Sequence, residues 1–190
     1  MSLHATTPPP DSGQDWGPLE KRLQEYSTKT CDSARDGFKY PGSVQVFQHA
    51  SVAAYTQIGI TDPGVVSRLI DNGILPSITI GSRSQGEHEY STEFGLDGYV
   101  KAGVTSPDDM LRLRAANVTT YGFSKVVTAL KQAGRSYPLS EIVGEVVRIA
   151  HEEGLDAIAR DARTSNSMVH EFNHGSLGEQ FQKWLDKRIA

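Results

Sequence analysis

Apolar positions recur at helical spacing in several segments of the chain, and capping residues mark where these segments begin and end. In the clearest predicted helix, Asp62 caps the first turn, Pro63 takes the first helical position and Gly73 ends the helix. The run 106–109 (Ser-Pro-Asp-Asp) is a second start of the same kind. Further helices are predicted over residues 16–26, 121–132 and 140–153.

Short strands are predicted between the helices. Residues 43–49 alternate, with Val44 and Val46 on one face and His49 on the other. Residues 74–80 are predicted to be a strand or an extended entry interrupted by Pro76, and 155–160 a further strand. Residues 81–95 are polar and glycine-bearing and are predicted to be an exposed loop. No internal repeat is visible, and strands and helices do not alternate regularly. The pattern therefore predicts an α+β fold, with a single globular domain over residues 16–190.

Composition and the N-terminal segment narrow the class of protein. Residues 1–15 are polar and proline-rich, lack the apolar core of a secretory signal, and are predicted to form a flexible leader. The net charge of −4 argues against a broad nucleic-acid or anionic-membrane surface. No apolar run approaches the ~18 residues of a membrane span, and the lone Cys31 excludes an internal disulfide. We expect a soluble protein that is cytoplasmic, or exported without a secretory signal peptide.

The run HEFNH at residues 170–174 is the most informative motif in the chain. On a helix, His170 and His174 lie on one face and can bind zinc, and Glu171 between them can activate a zinc-bound water. This motif resembles that of the zincin metalloproteases, and the resemblance implies a zinc-dependent hydrolase. A catalytic zinc needs a third protein ligand, which here would come from upstream of the motif.

A strand is the competing interpretation of the same segment. Residues 167–172 alternate, and the S-x-x-E capping box from Ser176 to Glu179 predicts that a helix begins only at Ser176. On a strand, His170 and His174 would lie about 13 Å apart at ~3.3 Å per residue, too far apart to share one metal ion.

With this segment as a strand, the order of elements over residues 43–185 and four short strings resemble the ADP-ribosyltransferases of the His-Tyr-Glu class. The strings are VFQHAS at 46–51, NGILPS at 72–77, GLDAI at 154–158 and HEF at 170–172. The resemblance implies an enzyme that takes NAD as cofactor, and it extends to effectors and toxins. It implies that His49 holds the ribose, that Tyr90 or Tyr99 stacks on nicotinamide, and that Glu171 is catalytic. ADP-ribose would pass to an acceptor such as a protein.

Two further interpretations remain open at the level of sequence. Five basic residues could form a modest basic face for a phosphate-bearing ligand, or could only make the surface soluble: Arg112, Arg114, Lys125, Lys131 and Arg135. The chain could also be a non-enzymatic binding or effector protein, since a well-packed domain needs no catalytic site.

Overall fold

A computed structural model describes residues 15–132, 134–152 and 187. A boundary between Asp97 and Gly98 divides the chain into two compact units. In order, the described elements are α1 (Gly17–Ala34), 3-10 turns at Arg35–Gly37 and Pro41–Ser43, β1 (Gln45–Gln48), α2 (Ala53–Thr56), α3 (Pro63–Asp71), β2 (Ile78–Ser82), β3 (Gly86–Tyr90), α4 (Leu96–Lys101), α5 (Pro107–Ala115), α6 (Thr120–Gln132) and α7 (Leu139–Glu152). Seven helices and a small sheet in these residues confirm the predicted α+β class.

The sheet belongs to the first unit and is antiparallel in the order β1-β2-β3. The buried strand β2 pairs on one side with β1, from Gln45 opposite Gly81, and on the other with β3, from Ile78 opposite Tyr90. The β1 register shifts between Val46 and Gln48, which marks a bulge at the exposed Phe47.

Three sequence predictions need correction. The predicted loop 81–95 contains β3, and the predicted strand at 74–80 begins only at Ile78 and continues to Ser82. The strand β3 was missed because its sequence, GEHEY, is exposed almost throughout and carries no apolar alternation; pairing with β2 specifies it. Helix α1 extends to Ala34, eight residues beyond the predicted end at residue 26, and buries Ser27 and Cys31 in this continuation.

The helix starts predicted at Asp62 and Ser106 are confirmed. The Asp62 carboxylate accepts hydrogen bonds from the backbone amides of Gly64 and Val65. The Ser106 hydroxyl caps α5 by accepting a hydrogen bond from the backbone amide of Asp109. Helix α3 buries Val66 and Leu69 of its predicted stripe, and α5 buries the corresponding Met110 and Leu113. None of the helices in the described ranges is long and apolar enough to cross a membrane.

The two units contain the same local structure, 44 residues apart along the chain, which the sequence analysis failed to detect. Residues 55–74 in the first unit and 99–118 in the second each begin with a buried tyrosine, turn through a left-handed glycine, and form a proline-initiated helix of nine residues. Only six of the 20 aligned residues are identical, so sequence similarity alone is weak. The identical pairs are Tyr55/Tyr99, Gly59/Gly103, Thr61/Thr105, Pro63/Pro107, Arg68/Arg112 and Leu69/Leu113.

The same hydrogen bonds hold both copies. Tyr55 donates its hydroxyl to the carbonyl of Ile74 at 2.7 Å, and Tyr99 donates to the carbonyl of Val118 at 3.2 Å, 19 residues on in each case. In each copy the nine-residue helix ends in a Schellman motif, with Gly73 or Asn117 at positive φ. Since the pattern lies in backbone geometry and one buried hydroxyl, it tolerates most side-chain changes.

Candidate functional site

The strand register brings two of the predicted site residues to one end of the sheet. Tyr90 is the last residue of β3 and pairs with Ile78, the first residue of β2. Thr79 of β2 pairs with Gln48 on one side and with Glu89 on the other, and His49 and Tyr90 are the next residues along those two outer strands. The backbones of Gln48 and Glu89 lie about 10 Å apart at two strand spacings. We call this region the sheet-end site.

Helix α1 fixes the chain immediately after His49. The amide of Ala50 donates to the buried Ser27 hydroxyl at 2.9 Å. One carboxylate oxygen of Glu20 accepts from the Ser51 hydroxyl at 2.9 Å and from the Val52 amide at 3.2 Å. The imidazole itself is exposed. A side chain that is open to solvent on an anchored backbone suits a group that must bind a ligand in one position.

A carboxylate lies at the same end of the sheet. The Asp97 Oδ2 accepts a hydrogen bond of 2.6 Å from the amide of Ser77, the residue before β2 begins. Burial raises the pKa of Tyr26, the Thr30 hydrogen bond lowers it, and the charge of Asp97 raises it further. Asp97 therefore brings negative charge to the sheet-end site and favours a neutral Tyr26 beside it.

The segment that leaves β3 adds an unsatisfied hydroxyl. Thr92 follows Tyr90 by two residues, and its Oγ1 is buried without a hydrogen-bond partner in the described part of the chain. A buried hydroxyl without a partner costs roughly 1–3 kcal/mol. Tyr90 itself is half-buried, so part of its ring is open to a ligand.

The structure separates the two tyrosines that the sequence left as alternatives. Tyr99 lies in the second unit, is fully buried, and has its hydroxyl bonded to Val118. Burial raises the pKa of Tyr99, and Arg114 partly offsets this increase. Its surroundings are those of a core residue, and Tyr90 is the tyrosine that shares a sheet end with His49.

The motif residues His170, Glu171 and His174 lie outside the described residues, so the zinc site stays a prediction. Within residues 15–132 and 134–152, no three His, Cys, Asp or Glu side chains cluster closely enough to hold a metal ion. Cys31, one of the upstream residues able to supply a third zinc ligand, is buried.

Sequence reasoning missed Asp97, Ser77 and Thr92. A signal was available for Asp97, because an acid in the first turn of a helix is a common stabilising feature. Helix α4 itself was not predicted, however, so its first turn could not be located. Nothing in the sequence marks Thr92, because its unsatisfied hydroxyl arises only from the packing around it.

Comparison of this chain with protein-family models, with curated proteins and with solved structures gives no match.

Proposed function

We propose that this protein is an NAD-using transferase that cleaves the nicotinamide–ribose bond and passes ADP-ribose to an acceptor. The observation that supports the proposal is the strand register at the sheet-end site, where His49 and Tyr90 each follow a residue that pairs with Thr79 of β2. Both side chains have surface open to solvent, and both belong to the first unit.

The proposed roles follow from what the reaction needs. His49 donates a hydrogen bond to a ribose hydroxyl and fixes the sugar, while the Tyr90 ring stacks on the nicotinamide. A nucleoside held by both side chains lies across β2, which separates the two outer strands by about 10 Å. Glu171 is the proposed catalytic carboxylate.

In the proposed reaction, the bond between the ribose C1′ and the nicotinamide nitrogen breaks, and its electron pair goes to that nitrogen, which becomes neutral. Positive charge develops on the sugar, and a fixed carboxylate stabilises it more in the transition state than in the ground state. The acceptor's nucleophile then forms a bond to C1′ and releases its proton to solvent. The net reaction is a substitution and requires no oxidant or reductant.

The test is to measure NAD binding by thermal shift and nicotinamide release by chromatography on the same preparations. At an NAD concentration 100-fold above Kd, a ligand that binds only the folded state stabilises it by about 2.7 kcal/mol. We expect His49→Ala and Tyr90→Ala to lose most of the shift, and Glu171→Gln to keep the shift but lose nicotinamide release.

The matched control is Tyr40→Ala, which removes an exposed tyrosine elsewhere in the first unit and should leave both readouts unchanged. Absence of an NAD-dependent shift in the wild-type protein would overturn the proposal. Undiminished nicotinamide release by Glu171→Gln would remove Glu171 from the catalytic role.

A further inference from the structure

The second unit contains a segment with an unusual charge balance. Between Asp109 and Glu141 the chain has no acidic residue, although it carries five of the 19 Lys and Arg residues. The whole chain has 23 acidic residues and a net charge of −4. This stretch therefore has a net positive charge in a protein that is acidic as a whole, and α6 occupies the centre of the stretch.

Helix α6 has a buried apolar face and an exposed face that carries the basic residues. Its buried side chains are Phe123, Val126, Val127 and Leu130. Its exposed side chains at the spacing of one helical face are Tyr121, Lys125, Thr128 and Gln132, flanked by exposed Lys131 and Arg135. From Tyr121 to Gln132 this α6 outer face extends about 17 Å at ~1.5 Å per residue.

Within the part of the chain that the structure describes, no acid pairs with the cations on this face, which are Lys125, Lys131 and Arg135. On α7, by contrast, Arg148 pairs with both Glu145 and Glu152. A surface whose function was only solubility would be expected to mix charges of both signs, as α7 does.

An aromatic ring lies among the cations. Tyr121 is 49% exposed, and the ammonium of Lys125 lies 5.2 Å from the centre of its ring. One side of the ring contacts the lysine, and nearly half of the side chain is open to a second flat group. Cations beside an exposed aromatic ring are the elements with which proteins bind single-stranded nucleic acid, through phosphates and stacked bases.

We propose that the α6 outer face binds single-stranded nucleic acid, with phosphates at Lys125, Lys131 and Arg135 and one base stacked on Tyr121. Its size fits a short stretch of strand rather than a broad surface. An anionic membrane is the poorer partner, because α6 buries Phe123, Val126, Val127 and Leu130, and Tyr121 is a single exposed aromatic rather than an apolar face that could insert into lipid. The proposal is independent of the sheet-end site, which lies in the other unit.

The test is fluorescence anisotropy of a short labelled oligothymidylate with the full-length protein over a series of salt concentrations. Three phosphate contacts predict a slope of log K against log salt of about −2, at ~0.7 per contact for single strands. Lys125→Gln and Lys131→Gln should each reduce that slope by about 0.7. Tyr121→Ala should weaken binding about tenfold while leaving the slope unchanged, because stacking contributes no counterion release.

The matched control is Lys29→Gln, which removes an exposed lysine from α1 and should change neither affinity nor slope. Thermal denaturation of each variant checks that it remains folded. Absence of wild-type binding at low salt, or unchanged slopes in both lysine variants, would overturn the proposal. Competition by poly-glutamate as effective as that by unlabelled oligothymidylate would also overturn it, in favour of an acidic protein partner.

Discussion

Tyr55 and Tyr99 show how one buried hydroxyl can hold a turn of chain in place. Each ring is fully buried, and each hydroxyl donates to the carbonyl of the aliphatic residue that follows the next helix. That carbonyl has left the helical hydrogen-bond pattern and is shielded from water. The phenol supplies the donor that the carbonyl would otherwise lack.

We expect Tyr55→Phe and Tyr99→Phe each to lower the free energy of unfolding by about 1–2 kcal/mol, because each leaves a buried carbonyl without a donor. Denaturant titration followed by circular dichroism measures the change. Tyr121→Phe is the control, since that side chain is largely exposed and should be neutral within about 0.5 kcal/mol. Wild-type stability in both buried variants would show that the two hydrogen bonds contribute nothing to stability.

At the residue scale, the sequence could supply candidates but could not choose among them. Tyr90 and Tyr99 are equally plausible partners for His49 by order along the chain. Burial and strand pairing separate them, and both depend on residues far away in sequence. The Tyr99 hydroxyl donates a hydrogen bond to the carbonyl of Val118, 19 residues on, and no local sequence pattern predicts that contact.

Helix starts with a capping side chain and a following proline, at Asp62 and Ser106, are the features that local sequence predicts best here. Gly73, the glycine expected to end α3, has positive φ, as does Gly134 after α6. Strand β3 is the element that local sequence predicts worst, because a polar edge strand is specified by its neighbour. A Cβ added at Gly81 would lie 2.1 Å from the Gly86 carbonyl oxygen, so the β2-β3 hairpin depends on the glycine at that position.

The structural repeat allows the end of α3 to be compared with the end of α5 by mutation. Asn117 has φ of 57° at the position where the first copy has Gly73 at 73°. We expect Asn117→Gly to change the free energy of unfolding by no more than a few tenths of a kcal/mol. Asn117→Ala should lower it by about 1 kcal/mol, because alanine is strained in the left-handed region.

Thermal or denaturant unfolding distinguishes these outcomes. Ala115→Gly is the control within the same helix: it lies in the last turn of α5 and tests the general cost of glycine there. If Asn117→Ala were as stable as the wild type, the left-handed conformation at this helix end would not be needed for folding.

At the scale of the whole molecule, the two units share the structural repeat but add different elements to it. Each unit buries a tyrosine at the same place, yet the first unit adds the sheet and the second unit adds α6 and α7. The proposed nucleotide site uses residues outside the repeat, at the sheet end. The proposed nucleic-acid face uses α6, which begins two residues after the second copy ends. On both proposals, the repeated structure is a scaffold, and the residues that bind a ligand lie in the elements that each unit adds to it.

Buried tyrosines also determine how the whole molecule responds to alkaline pH. Burial is the main cause that raises the pKa of Tyr26, Tyr55 and Tyr99 above the ordinary value of 10.0. Below pH 10 these phenols are neutral in both the folded and the unfolded state, and their contribution to stability is fully present. Above pH 10 only the unfolded chain releases their protons, so the free energy of unfolding falls as pH rises toward the folded-state pKa values.

We therefore expect alkaline unfolding that begins above about pH 10, with Tyr55 and Tyr99 ionising only as the fold is lost. Near-ultraviolet absorbance of tyrosinate and far-ultraviolet circular dichroism, recorded over the same titration, should show part of the tyrosine signal rising together with the loss of helix. The double variant Tyr55→Phe/Tyr99→Phe is less stable at neutral pH but should lose stability less steeply above pH 10. Ionisation of all seven tyrosines while the helical signal stays intact would contradict this view, because it would mean that water reaches phenols that the packing excludes from it.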